Sequence, residues 1–171
     1  MGTPKTLAAA LLVAFTTLGC QTGQLLTGHA KRLLRSPGEK LTALPERVAE
    51  EYGCDRKARP FFHLERNEIV PDRVVAGDKV NHRLVYALCA TGPTNVVRGA
   101  LVTRVLYAGR IVLSDRQPRY ELKPGRWVVD STLEIPGAAK VGVYAIEVAF
   151  ESASVRFRDE RTFAVAASRI P

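Results

Sequence analysis

The chain has 171 residues, with 25 Lys or Arg against 17 Asp or Glu, so its formal net charge is +8. This length suits one domain with an additional segment, and 46% hydrophobic with 25% charged residues excludes a chain that is disordered by composition. An aromatic share of 7% is low for a stacking platform that binds single-stranded nucleic acid.

The first predicted element is a secretory signal peptide over residues 1–19. Lys5 is the one charged residue before an apolar stretch that runs from Thr6 to Phe15, and small residues follow as far as Gly19. A basic start, a short apolar run and small residues are typical of such a signal. The run is shorter than the ~20 residues that a membrane-spanning helix needs.

At Thr17-Leu18-Gly19-Cys20 the sequence resembles the lipobox of bacterial lipoproteins. In that family the cysteine is diacylated and the chain is cut just before it, so the resemblance implies a stable lipid anchor on Cys20. Gln21 after the cysteine implies, by the family's sorting logic, the outer membrane of a Gram-negative envelope, facing the periplasm or the cell surface. An ordinary cleaved signal with an incidental cysteine is the alternative. With either export signal, we expect no nucleic-acid partner.

Residues 20–44 are predicted to form the lipid anchor and a basic tether. Removal of residues 1–19 takes away one Lys, which leaves a mature net charge of +7. The interpretations are a flexible tether or a short amphipathic helix on the membrane surface, and Gly28 favours the tether because it weakens a helix by about 1 kcal/mol. The basic residues of the tether are Lys31, Arg32, Arg35 and Lys40.

Residues 45–58 are predicted to form a short helix and a connection. Pro45 at the first helical position and Gly53 just past the end follow the usual asymmetry of helix ends. Val48, Ala49 and Tyr52 are expected to form the packed face of this helix.

Cys54 and Cys89 remain once Cys20 is acylated, and an even pair in an exported protein predicts a disulfide. It closes a loop of about 35 residues, which stabilises the fold by ~3–4 kcal/mol in the chain-entropy model. The alternatives are free thiols, or a metal site completed by His63 and His82. That site lacks the close-paired spacing of zinc ligands, so we expect no metal and no cofactor.

From Phe61 onward, period-two alternation predicts a β-sandwich domain over residues 59–168. The expected class is mostly β, with seven or eight strands and one short N-terminal helix. In the first long strand, the inward residues are Val80, His82, Leu84, Tyr86 and Leu88. The turns lie at Thr91-Gly92-Pro93, Ala108-Gly109, Lys123-Pro124-Gly125 and Pro136-Gly137.

Leu133-Glu134-Ile135-Pro136, followed by the alternating residues 142–148, resembles immunoglobulin-like and fibronectin type III-like sandwiches. In those antiparallel domains a tyrosine at the entry to the penultimate strand fixes the crossing between the sheets. Tyr144 is the matching residue. The resemblance covers about residues 60–166 and implies a fold rather than a function.

The sequence contains no nucleophile-elbow, His-Glu-x-x-His or Walker-type motif. We therefore assign no catalytic residue and expect no enzymatic activity. Glu65, Glu68 and Asp72 are interpreted as strand-edge and loop charges rather than an acid–base pair. His82 lies in phase with apolar residues, which indicates a core-edge imidazole bonded to a backbone carbonyl rather than a site.

The candidate binding residues are one tryptophan and a group of arginines. Trp127 is in phase with Val129 and Leu133, which favours a core position over a sugar-stacking platform. The arginines form either a basic surface for an acidic partner or a scattered solvated surface. They are Arg98, Arg104, Arg110, Arg116, Arg119 and Arg126.

We therefore expect a non-catalytic, lipid-anchored protein whose immunoglobulin-like domain binds an envelope or extracellular protein. The alternative is a binding module for an anionic glycan or lipid such as lipopolysaccharide.

Overall fold

Alternating apolar residues build nine strands in the part of the chain that the structure, a computed structural model, describes, which is residues 38–167. The signal peptide, Cys20 and the tether as far as Pro37 lie outside these residues. The elements are β1 Gly38–Ala43, α1 Pro45–Tyr52, β2 Phe61–Val70, β3 Arg73–Val75, β4 Lys79–Cys89, β5 Val97–Tyr107, β6 Arg110–Leu122, β7 Gly125–Glu134, β8 Gly142–Glu151 and β9 Arg156–Ala166. A single turn of 3₁₀-helix, Cys54–Arg56, follows α1.

The mostly-β class with one short α-helix is confirmed for residues 38–167, and the expectation of seven or eight strands is wrong. Two strands account for the difference. β1 lies in the segment predicted to be tether, where two charges and a glycine mask its alternation. β3 has three residues, which is too few to produce a periodic pattern.

The strands form two sheets, in the order β1-β7-β4-β2 and β3-β9-β8-β5-β6. All neighbours are antiparallel except β3 and β9, which run parallel. β2 belongs to the four-stranded sheet, and β3, two residues further on, belongs to the five-stranded sheet. β5 and β6 are joined at Ala108-Gly109, where both residues have positive φ, 49° and 74°. This conformation matches the twist of a two-residue hairpin.

The core lies between the two sheets, and β4 supplies much of it. All five residues that the alternation places inward on β4, including His82, are buried. Facing them are Ile146, Val148 and Phe150 of β8. The inward face of β4 is therefore the one that the sequence pattern predicts.

α1 packs on the outer face of the four-stranded sheet and covers one end of β4. Val48 is fully buried against Ala87 and Cys89, and a disulfide joins Cys54 to Cys89 with their Cα atoms 6.2 Å apart. Gly53 ends the helix in the left-handed region at φ 59°. Because β1 and α1 both pack on this sheet, the folded unit includes described residues before residue 59.

Candidate binding surface

The six arginines singled out in the sequence do not form one cluster. Arg126 lies on the four-stranded sheet beside α1, where its Nε is 2.8 Å from Glu65 and its Nη2 is 2.7 Å from Glu51. These two carboxylates raise the pKa of Arg126 above its ordinary value. The other five arginines belong to β5 and β6 of the five-stranded sheet. Arg126 therefore connects α1 to its sheet and is not part of a common basic surface.

Two of those five form ion pairs with carboxylates on neighbouring strands. Arg98 Nε lies 2.8 Å from Glu121 Oε1, and Arg104 Nη1 lies 2.6 Å from Glu147 Oε1. Glu147 also accepts a hydrogen bond from Arg158 and is only 2% exposed. Burial opposes its ionisation, but the two guanidinium groups outweigh burial and hold the pKa of Glu147 below its usual value.

The remaining three arginines, Arg110, Arg116 and Arg119, all lie on β6. Each is exposed, and none forms an ion pair with any residue between 38 and 167. β6 has 13 residues and is an edge strand, paired only with β5 among the described strands. The unneutralised positive charge of the predicted set is thus concentrated along one free sheet edge.

The two halves of β6 differ in how their free edge is protected. In the second half, Pro118 removes a donor, a bulge interrupts the pairing with β5, and Tyr120 donates to Glu39 of β1 at 2.8 Å. Lys123, just past the strand, also binds Glu39. In the first half, Ile111 and Val112 are 56% and 55% exposed. Natural sheets rarely leave a long apolar edge open without a reason.

Next to β6, the outer face of the five-stranded sheet carries small residues between two arginines. One row across four strands reads Arg116, Val102, Ala149 and Arg158 in direct register. Arg158 was not among the arginines predicted as binding residues, although the alternation of β9 around Phe157 and Phe163 contains the signal that places it outward. Glu147 carries one negative charge and contacts both Arg158 and Arg104, so this group of three keeps a net charge of +1 beside Arg116.

His82 is buried in a polar chain that connects the two sheets. Its Nε2 lies 2.7 Å from Asn67 Oδ1, and Asn67 Nδ2 donates to Asp159 Oδ2 at 3.1 Å. Burial lowers the pKa of His82 to about 4, so the ring is neutral at pH 7. The core position agrees with the pattern, but its partner is a side-chain amide and not the expected backbone carbonyl.

The candidate acid–base carboxylates have separate structural partners. Glu65 accepts hydrogen bonds from Arg126 and from the Tyr52 hydroxyl at 2.7 Å. Glu68 lies 3.8 Å from Arg66, and the backbone carbonyl of Asp72 accepts from the Ala164 N–H at 2.8 Å. Glu65 and Glu68 on β2 and Asp72 just before β3 therefore have separate contacts.

Trp127 is half-buried against the core, as its phase with Val129 predicts. The indole N–H donates to the Pro124 carbonyl at 2.9 Å, and Lys123 Nζ lies 4.8 Å from the ring centroid. With an ammonium group over the ring, Trp127 offers no free face for a sugar. Tyr144 is buried, and its hydroxyl donates to the Lys140 carbonyl at 3.0 Å.

A cleft of about 280 Å³ lies at the disulfide end of the sandwich, between α1, the β4–β5 connection and Pro124. Its lining is mostly apolar, with Glu46 and Arg59 as the charged residues. Between residues 38 and 167, no group of three or more His, Cys, Asp or Glu could hold a metal ion.

None of the helices in the described range is both long and apolar enough to span a membrane.

No protein-family model and no curated protein matches this sequence. Among solved structures, the chain is similar to part of a cycloisomaltooligosaccharide glucanotransferase from Paenibacillus sp., with a TM-score of 0.47, 17% identity and coverage of 61% of this chain and 14% of that one. The sporulation control protein of Bacillus subtilis matches with a TM-score of 0.43 and 15% identity, over 63% of this chain and 50% of that one. A family 123 glycoside hydrolase from Clostridium perfringens matches with a TM-score of 0.46 and 12% identity, over 78% of this chain and 28% of that one. This chain spans half or less of the length of each of these proteins, and similarity at these TM-scores does not indicate a function.

Proposed function

We propose that this chain is a lipid-anchored protein of the bacterial envelope, and that its immunoglobulin-like domain binds a protein partner without catalysing a reaction. The observation that carries the binding function is the free edge of β6, where exposed apolar residues lie beside arginines that have no ion-pair partner among residues 38–167. Edges of this kind bind extended segments of other proteins.

The immunoglobulin-like type is supported by the order of the strands. The chain crosses between sheets after β2, β3, β4, β6 and β7 and forms hairpins at β5–β6 and β8–β9, which is a Greek-key arrangement. The Tyr144 hydroxyl reaches the backbone four residues upstream, as in a tyrosine corner. β1 occupies the position next to β7, so a strand from before the helix completes the four-stranded sheet.

The anchor is inferred from the sequence at Cys20. We expect the full chain to fractionate with the outer membrane and Cys20→Ser to appear in the soluble periplasmic fraction, because the variant has no thiol to acylate. Cys54→Ser/Cys89→Ser, which removes the disulfide and leaves Cys20 in place, serves as the control for the loss of cysteines elsewhere in the chain. Retention of Cys20→Ser in the outer membrane contradicts the anchor proposal.

The alternative function, binding of an anionic glycan or lipid, is favoured by the same unneutralised arginines. Salt concentration distinguishes the two functions. At about 1 M salt, exposed charges that are more than ~3 Å apart are largely screened from each other, whereas apolar and main-chain contacts persist. We expect a protein captured from envelope extracts by the full chain to remain bound at that salt concentration. Loss of all capture, with binding of purified lipopolysaccharide only at low salt, supports the alternative.

A further inference from the structure

We infer that residues 110–117 of β6 take up an extended acidic segment of a partner protein as an additional strand of the five-stranded sheet. This inference rests on the proposed binding function and specifies the partner's chemistry. It follows from the backbone of the edge, the unequal protection of its two halves and the charges along it.

The backbone of β6 provides the hydrogen-bonding groups. β6 is the last strand of its sheet among residues 38–167, so along residues 110–117 the N–H and C=O groups of every second residue point away from β5. That gives about four residues with free donors and acceptors, which is enough for an added strand of typical length.

Protection of the edge begins where this segment ends. Pro118, the neighbouring bulge and the Tyr120–Glu39 hydrogen bond all fall in the second half of β6. Residues 110–117 have only a bulge near the hairpin, and they expose Ile111 and Val112. The other long edge, β2, packs close to β9 and carries Glu65 and Asn67 in internal contacts.

The charges favour an acidic occupant. Arg110 and Arg116 are exposed at the two ends of the segment and lack ion pairs among residues 38–167. The acidic residue between them, Asp115, is half-buried, and its Oδ2 lies 3.4 Å from Gln117 Nε2. Arg104 on the adjacent strand shares the one negative charge of Glu147 with Arg158, so these three groups add a net charge of +1 next to the segment.

A second copy of this chain is a poorer occupant. Antiparallel pairing of two such segments about Leu113 sets Arg110 of one copy opposite Arg116 of the other, and like charges directly opposite each other destabilise a strand pair. The formal net charge of +8 adds long-range repulsion between copies. A segment that alternates acidic with apolar residues meets the arginines and the exposed Ile111 and Val112 together.

The test uses the full chain in detergent micelles and a labelled peptide of about eight residues that alternates Glu with Val. We expect saturable binding by fluorescence anisotropy, with protection of the amides of residues 110–117 from hydrogen exchange. The double variant Arg110→Glu/Arg116→Glu is expected to weaken binding by about tenfold or more. Matched variants with the same change in net charge, Arg47→Glu on α1 combined with Arg156→Glu on β9, are expected to bind as the wild type does.

A peptide of the same sequence with N-methyl groups on alternate residues separates strand addition from simple charge attraction, because it keeps the carboxylates and loses the donors. Failure of the methylated peptide to bind supports the inference. Equal binding of both peptides, an equal effect of the control variants, or protection by a second copy of the chain without peptide overturns it. If a captured envelope protein binds the β6 double variant as well as the wild type, the inference fails while the proposed function stands.

Discussion

At the scale of single residues, His82 makes the stability of the domain depend on pH. Its pKa in the folded chain is about 4 against an ordinary value of 6.5, so the unfolded chain binds the proton more tightly. The stabilisation is fully present above pH 6.5 and is lost as the pH falls toward 4, with a total of up to about 3 kcal/mol. We expect the free energy of unfolding, measured with urea, to fall in this way between pH 7 and pH 4.

The comparison that isolates His82 is its replacement by a residue that does not titrate. His82→Gln is expected to unfold more easily at pH 7 and to show a flatter dependence on pH between 6.5 and 4. His63→Gln, a change at an exposed position, is expected to keep the wild-type slope. Identical slopes for all three proteins contradict the role given to His82.

Glu147 is the second residue whose charge the fold depends on. Replacement by Gln removes the charge that Arg104 and Arg158 both contact, so we expect a loss of about 1–3 kcal/mol in the free energy of unfolding. Glu151→Gln breaks an exposed ion pair with Arg156 and is expected to cost less than about 1 kcal/mol. Chemical denaturation of both variants at pH 7 measures the difference, and equal losses contradict the importance of burial at Glu147.

At the scale of elements, Gly125 is the first residue of β7, and the backbone of β1 lies close against it. Its φ is 98°, and a Cβ there would lie 2.6 Å from the Ala43 carbonyl oxygen. Gly77 has a similar φ of 90° with open space around it, so it separates the cost of backbone strain from the cost of the clash. We expect Gly77→Ala to lower the stability by about 1 kcal/mol and Gly125→Ala by more than about 2 kcal/mol. Thermal unfolding checks both, and equal losses mean that β1 moves away at little cost.

The elements also indicate how far the sequence could predict this structure. The alternation of β4 correctly predicts which side chains face the core, because burial on one face dictates that pattern. It did not predict that Asn67 would bond His82, because a bulge between Leu64 and Arg66 sets the register of β2 against β4. Likewise, Arg126 is neutralised by Glu51 and Glu65, residues 75 and 61 positions away. The packing of α1 brings Glu51 to it, and the strand order β7-β4-β2 brings Glu65. Pairings over such distances leave no local signal.

At the scale of the whole molecule, the disulfide ties the N-terminal segment to the sandwich. Cys54 and Cys89 are 35 positions apart, so their bond limits the freedom of the unfolded chain. We expect Cys54→Ser/Cys89→Ser to lose about 3–4 kcal/mol of stability. Unfolding of the wild type under reducing conditions is expected to match that of the variant, whose own stability is unaffected by reductant. A wild type that is insensitive to reductant contradicts this contribution.

The position of β1 has a consequence for the order in which the domain assembles. The Thr42 hydroxyl bonds the carbonyl of Arg126, 84 positions further along the chain, and the whole of β1 pairs with β7. Contacts this distant in sequence fold slowly, and during synthesis from the N-terminus β1, the first of the described strands, is made long before its partner β7. The four-stranded sheet is therefore completed by the earliest of its strands, and until β7 is made β1 is an unpaired strand that other chains can reach.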